Sequence, residues 1–480
     1  MAATSPALKR KPAADHRQSA KPPSPSMIVI GKDVLELLSS AMYVDPLSIF
    51  REYVQNAADA IDEARDHNFL GKREAGRVDI QLDGEARRII IRDNGAGIPI
   101  DQAPSRLLAI GSSPKRGTRA RGFRGVGRLA GLAYGRSLTF RTRSAGDDEV
   151  IEIHWDCQRL KTALRDVEQR DDISSVIQRV VTIRTLSGRG WPKHFFEVEL
   201  ADVIRTKRDA LLSEAAVADY LAQVAPVPFA GDFQWVDAIA KHLAPVRLAD
   251  LDIRIGERAS LTRPFHNSFK VSDAVDDQFS EIELLTFTDL DGGTAGVGWV
   301  LHHRYLGSIT VRAQVGGLRL RVGNVQIGAA DLMEDFFPET RFNGWAVGEL
   351  HVLDPRILPN ARRDDFEQNV HYSNLTAQLE PVARQIARRA RSASITRNRA
   401  RRAELEAERA QPAPSPARGP VEQHGVEPVV DAAAQTSAAL AADDAHAPLV
   451  AELCALLNRS GIAPADQLLV LQKAIAQLGD

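Results

Sequence analysis

Apolar positions change their spacing along this chain, and each change marks an element. From Asp45 to Arg65, Ile49, Tyr53, Val54, Ala57 and Ile61 recur at helical intervals, which predicts a helix with its core stripe on one face. The same spacing sets Glu52, Asn56 and Asp59, at i, i+4 and i+7, together on another face. β-rich runs follow near Val78–Leu82 and Arg88–Arg92, then at Ser137–Arg143, Val150–His154 and Val180–Leu186. A helix over Glu214–Val224 is stopped by the prolines of Ala225-Pro-Val-Pro-Phe229. A second mixed unit runs from about Asp250 to Asn369, Asn374–Arg409 reads as one long helix, and Leu449–Asn458 and Pro464–Leu478 as two short amphipathic ones. Strands and helices in this order predict an α+β chain whose first domain is an α/β sandwich, with helical C-terminal segments.

The pattern divides the chain into a disordered tail (1–26), a first domain (27–229), a second domain (230–370), an arginine-rich helix (371–410), a Pro/Ala/Glu-rich disordered linker (411–446) and a C-terminal helical hairpin (447–480). Composition narrows the chemistry. Lys and Arg (61) nearly balance Asp and Glu (63), a formal charge of -2, so any attraction to nucleic acid or anionic membrane has to be local. Two cysteines, Cys157 and Cys454, lie far apart, which excludes a disulfide framework and a clustered cysteine metal site. No apolar run reaches the ~18–20 residues of a membrane span, and residues 1–26 lack a signal-peptide core. A soluble, cytoplasmic protein without membrane contact is therefore expected.

Three segments carry candidate chemistry. On the first helix, a carboxylate one turn before a carboxamide suits a nucleotidase: the carboxylate to deprotonate a water, the amide oxygen to ligate Mg²⁺. The strand Ile89-Ile-Ile-Arg-Asp-Asn-Gly-Ala-Gly-Ile-Pro99 ends in Asp-x-Gly-x-Gly. Gly95 and Gly97 let backbone approach a flat ligand, and Asp93 offers an acceptor for an exocyclic amine. Residues 111–128 then combine six basic residues, no acidic one and five glycines ahead of the apolar run Leu129–Tyr134. Such a loop ending at a helix N-terminus favours phosphate. A dinucleotide fingerprint is disfavoured, because a basic loop and not a strand precedes Gly125-Val-Gly-Arg-Leu-Ala130. The P-loop pattern is absent.

Taken singly each segment is ambiguous; in this order and spacing they resemble the Bergerat-fold nucleotide pocket of the GHKL ATPases. The resemblance implies ATP and Mg²⁺ as ligands, Glu52 as general base and Asn56 as the Mg²⁺ ligand, with Asp59 beside them in the pocket. It further implies Asp93 as the adenine-amine acceptor, Gly95 and Gly97 under the adenine, and Gly122, Gly125, Val126 and Gly127 as the phosphate-binding lid. The first helix is closest to that of the heat shock protein 90-type chaperones, and the Gly-Phe-Arg-Gly portion of the lid looks more like MutL. One departure is the family's late Gly-Thr, where this chain has Val180-Val-Thr-Ile-Arg-Thr185; Thr182 and Thr185 are the alternatives.

In the second domain Gly317–Gly328, Phe342–Asp354 and Leu358-Pro-Asn-Ala-Arg-Arg-Asp-Asp-Phe-Glu367 resemble the chaperones' middle, or transducer, segment. That resemblance implies that Asn360 and Arg363 reach the nucleotide when the domains close, Arg363 as an arginine finger. It ends near residue 370, with no counterpart of a chaperone dimerisation domain. Asn374–Arg409 instead holds eight arginines between Arg384 and Arg402, a solvated helix balanced by Glu404, Glu406 and Glu408 or a surface for nucleic acid or an acidic partner. The terminal helices suit docking or self-association, hence a homodimer. The function expected is a slow chaperone-like ATPase acting on protein clients; the alternatives are a MutL- or MORC-like ATP-gated clamp on DNA and a non-hydrolysing scaffold. A histidine-kinase role is disfavoured, and His302, His303 and His351 are read as structural.

Overall fold

The computed structural model describes residues 45–410 except 72, 111–126, 167–171, 206, 247–250 and 273–274. The tail expected at 1–26, the linker at 411–446 and the hairpin at 447–480 lie outside the described residues. The chain is α+β, built on two sheets. Among the described residues no helix is long and apolar enough to cross a membrane.

The first helix, α1 (Ser48–Asp66), starts where the Asp45 carboxylate accepts the Leu47 N–H at 3.0 Å and Ser48 Oγ donates to Asp45 O. It ends before Asn68, whose φ of 58° places it in the left-handed region that asparagine tolerates. Strands β1 (Gly76–Asp83), β2 (Arg88–Asp93), β3 (Ser137–Arg143), β4 (Glu149–Asp156), β5 (Val181–Ser187), β6 (Phe195–Ala201) and β7 (Leu251–Ile255) form one sheet in the order β5-β4-β3-β6-β2-β1-β7. All neighbours are antiparallel except β1 and β7. Alternation gives the sheet two unlike faces. Val78, Ile80, Ile91, Phe140 and Leu200 pack with Ile49, Tyr53, Ala57 and Ile61 of α1 in one core. On the other face Arg141 meets Glu152, Glu197 and Glu199 at 2.8, 2.9 and 2.6 Å, and Arg92 meets Glu197. Between the elements lie α2 (Ala103–Leu108), α3 (Cys157–Arg165) and α4 (Ile173–Val180), and after the sheet's sixth strand comes α5 (Glu214–Val224).

Strand β7 lies beyond residue 230, in the span read as the second domain, yet it completes the first sheet. Its parallel pairing with β1 is reached by a long return that passes through β2 to β6, α5, the proline-bearing connector and α6 (Val236–His242).

The second sheet takes β8 (Ser268–Ser272), β9 (Val275–Thr288), β10 (Thr294–His303), β11 (Gly317–Val322), β12 (Val325–Ile327) and β13 (Val347–Val352) in the order β12-β11-β13-β10-β9-β8. It is covered on both faces. Phe233, Ile239 and Leu243, around α6, pack with Trp299, Leu301 and Val347. On the other side α7 (Val370–Ala410) lays Tyr372, Leu375, Leu379, Ile386 and Ala390 against Leu320, Leu350 and Val352. The arginine-rich helix is thus packed along its first half, which corrects the reading of a wholly solvated helix.

The sheets are bolted together at the connector. Arg321 donates to the carbonyls of Gln223 and Ala225 and pairs with Glu349 at 2.6 Å. Arg263 donates to Val227 O at 3.0 Å, pairs with the other oxygen of Glu349, and lies 4.5 Å over the Phe229 ring. His351 sits against the same carboxylate, and burial pulls its imidazole down to about 4. His302 and His303 are likewise buried, bonded to Tyr305 and Glu283 and to Asp277 and Trp345 O respectively.

Candidate functional site

The polar face of α1 does not point at open solvent. Glu52 and Asp59 are 6% and 7% exposed and Asn56 is half-buried, so three polar groups share a partly desolvated cleft at the end of β2. Asp93 closes that strand. It is buried, and its Oδ1 accepts the Gly95 N–H at 2.8 Å.

The loop after Asp93 is wedged between helix and sheet. The Ala96 N–H donates to Ala60 O on α1 at 2.9 Å, and a Cβ on Gly95 would stand 2.6 Å from Ala60 Cβ. Gly97 has φ +67°, and a Cβ there would fall 1.9 Å from Arg143 O; only glycine fits this turn. Thr142, buried on β3, accepts the Ile98 N–H at 2.8 Å and donates to Phe195 O at 3.0 Å. His194 Nδ1 lies 2.8 Å from Gly95 O. These contacts hold Asp93 and the two glycines in one rigid frame.

The foot of the basic loop closes the cleft. Gly127 opens a 3₁₀ turn, Gly127–Ala133, and a Cβ on it would lie 2.1 Å from Glu52 Oε2. Backbone therefore rests directly on the carboxylate. Tyr53 fixes the turn: its hydroxyl accepts the Gly131 N–H at 2.9 Å and donates to Arg128 O at 3.2 Å, and burial raises the phenol's pKa, which keeps it protonated. Arg128 donates to the carbonyls of Leu107 and Ala109, and burial pulls its guanidinium down to about 10. Gly122, Gly125 and Val126, with the other basic residues of the loop, lie outside the described residues.

The second sheet adds one loop. Around the Pro359–Phe366 bridge, the Arg363 N–H donates to Asn360 O at 3.2 Å and the Gly328 N–H to Arg363 O at 2.9 Å. The Arg363 guanidinium lies 3.1 Å from Glu52 Oε1 and donates to Gln55 Oε1. Arg51 returns the contact, donating to Arg362 O at 3.1 Å and to Arg363 O at 3.3 Å, 312 residues on. The Asn360 side chain turns the other way, its Nδ2 bonded to Asp364 and its Oδ1 buried without a hydrogen-bond partner.

The structure thus brings Gly127 and Arg363 onto Glu52, sets Asn56 and Asp59 on the same helix, and packs the loop of Asp93, Gly95 and Gly97 against that helix at Ala60, while Asn360 stands at the base of the Arg363 loop. Thr182 and Thr185 lie elsewhere. They are exposed on β5, at the sheet edge, four strands from β2; the buried threonine tied to the glycine loop is Thr142. Alternation with Leu138 and Phe140 is the signal that would have placed Thr142 inward. For Arg51, Gln55 and His194 no local signal exists, because their contacts are tertiary.

The donor set fits a magnesium nucleotide. Among the described residues no group of three or more His, Cys, Asp or Glu side chains could hold a metal alone, whereas Mg²⁺ typically takes one or two protein ligands and completes its shell with phosphates and water. The Asn56 amide, half-buried on the face of α1 that carries Glu52, is a ligand of that kind.

Comparison with known proteins agrees with this geometry. Residues 47–180 match the family of histidine kinase-, DNA gyrase B- and HSP90-like ATPases. Chaperone protein HtpG of Idiomarina loihiensis is 28% identical over 144 residues, covering 26% of this chain and 23% of the relative. HtpG of Hydrogenovibrio crunogenus is 30% identical over 140 residues, 26% of this chain and 22% of its own. HtpG of Mycolicibacterium vanbaalenii is 35% identical over 92 residues, 18% and 14%. Over residues 47–180 the first domain is thus similar to the GHKL-type ATPases, and the relatives it matches are HtpG chaperones. The matched stretch spans less than a quarter of those relatives' length.

Proposed function

We propose that the chain is an ATP-driven conformational machine of chaperone type, which binds Mg-ATP in the cleft and couples its hydrolysis to closure around a protein client. Asp93 accepts the adenine amine, and the tight turn at Gly97 lets backbone lie against the ring. Asn56 holds Mg²⁺ against the phosphates, and Glu52 takes a proton from the attacking water. Arg363 stabilises charge on the transferred phosphoryl group. The observation that supports this reading above others is the contact of Arg363 with Glu52, which brings a cation from a second sheet to the candidate base. With nucleotide present, the γ-phosphate competes for Arg363 and frees the Glu52 carboxylate to act as a base. Hydrolysis ends that competition and resets the pair.

Two substitutions test the assignment. Asp93→Asn replaces a charged acceptor by an amide, a loss of ~1.5–3 kcal/mol, so calorimetric ATP affinity should drop about tenfold to over a hundredfold. Glu52→Ala should retain ATP while single-turnover hydrolysis falls ~10²–10⁴-fold. Unchanged affinity in a folded Asp93→Asn protein would remove the pocket. If the Glu52→Ala protein, without turnover, suppressed aggregation of an unfolding client as well as wild type does with ATP, the coupling of client action to hydrolysis would be wrong.

A further inference from the structure

The arginines of α7 are sorted by the helix. Between Glu380 and Glu404 the chain carries eight arginines and no acidic residue. At ~100° per residue, Arg397 falls on the side of the buried stripe, and its guanidinium donates to Tyr305 O. Arg389 falls on a flank and pairs with Glu281 at 2.8 Å. Arg384, Arg388, Arg391, Arg399 and Arg402 fall within an arc of ~80° opposite the buried stripe, and all five are exposed. Arg391 pairs with Glu339 at 2.5 Å and Arg384 with Glu380 at 3.6 Å. Among the described residues no carboxylate is in ion-pair range of Arg388, Arg399 or Arg402. Arg304 joins Arg388, Arg389 and Ser392 in a groove alongside the helix.

We propose that this outer face of α7, with Arg304 at its side, binds the phosphate backbone of duplex DNA. The row runs 18 residues, ~27 Å of helix, and a duplex presents a charge every ~1.7 Å of its axis. A linear polyanion therefore meets cations along the whole row. Packing of α7 against the second sheet as far as Ala393, and the Arg397 bond to Tyr305 O beyond it, fix the near part of the row before anything binds, which limits the entropy lost on contact. A protein partner fits less well, since protein interfaces centre on apolar, often aromatic, anchors and the only large apolar side chain in this arc is Ile395. With a net charge of -2 the molecule as a whole gives no such attraction, so binding has to come from local basic surface, and the variants below assign it to this row.

The test is anisotropy of a fluorescein-labelled 30-bp duplex titrated with the full chain between 50 and 300 mM NaCl, for wild type and for Arg388→Gln/Arg399→Gln/Arg402→Gln. Loss of three phosphate contacts should reduce the log–log salt slope by ~2.7 and weaken binding at least about tenfold at 100 mM salt. Arg389→Gln, on the paired flank, should change the slope by less than ~1. The Asp93→Asn protein should bind the duplex as wild type does without ATP, which separates this surface from the nucleotide pocket. The idea is overturned by equal slopes for wild type and the triple variant, by no binding at 50 mM salt, or by an equal effect of Arg389→Gln. Displacement by poly-L-glutamate as effective as by unlabelled duplex would also overturn it, and would assign the face to acidic proteins. Circular dichroism melts of each variant establish that the fold is intact.

Discussion

The two halves of this protein meet in two places, and the contacts differ in kind. At the connector, Arg263, Arg321 and Glu349 are at most 1% exposed in their side chains and clamp carbonyls of Gln223, Ala225 and Val227. At the cleft, Arg363 and Glu52 are 13% and 8% exposed and lie beside the backbone of Gly127. A buried triad that loses one member strands charge in an apolar interior, so it holds one geometry. A pair beside a ligand site has an alternative partner whenever ligand binds. In the proposed function the first contact is the pivot, and the second the latch, of a machine that changes shape.

The largest expected effect lies at the latch. Arg363→Ala should slow single-turnover hydrolysis by ~10³-fold or more while leaving ATP affinity within about threefold, because the residue acts on charge that develops during transfer. A loss below tenfold would reduce the Arg363 contact to a structural one. A fragment used for comparison should extend past Ile255, since one ending at Phe229 would strip β7 from the first sheet.

At the pivot, Glu349→Ala leaves Arg263 and Arg321 facing each other unneutralised. Removal of one partner from a buried pair costs about 3–5 kcal/mol, readable as a fall in the urea midpoint. A loss under about 1 kcal/mol would mean that water or rearrangement solvates the site, and the pivot would not be rigid. The smallest effect sharpens the same point through pH. Folded His351 is held neutral, its pKa pulled down to about 4 by burial, whereas an unfolded histidine titrates near ~6.5. As pH falls below that value the unfolded chain gains a proton that the folded chain refuses. Stability should therefore decline from pH 6.5 toward 4, by up to ~2 kcal/mol at pH 5. His302 is shifted in the same direction by burial and adds to the slope. His351→Gln should flatten the difference between pH 7 and pH 5; an unflattened difference would exclude His351 as its source.

Local patterns carried much of this into view before any coordinates. The spans expected for β3 and Glu214–Val224 coincide with the strand and α5, because alternation in the one and prolines after the other leave little freedom. The strand β6 was not expected, although Phe196, Val198 and Leu200 alternate inward; without it the neighbour of β2 is unknown, and the missing threonine was sought on the wrong strand. Order along the chain does not give order across a sheet. For the same reason the polar face of α1 was readable as a cluster, while Arg51 and Gln55 on that helix were not, since what gives them a role is a loop more than three hundred residues away.

Arg363 also has φ 57°, a backbone region that costs a side chain-bearing residue ~1–2 kcal/mol. Its loop is held in that shape from both halves, by the Gly328 N–H and Asn360 O bonds within the second and by Arg51 of α1 donating to the carbonyls of Arg362 and Arg363. The tip is therefore braced in its strained turn partly by α1 itself. In the proposed cycle undocking would remove the Arg51, Glu52 and Gln55 contacts together, so the speed of resetting would depend on how the tip regains that turn as well as on how fast the two halves approach.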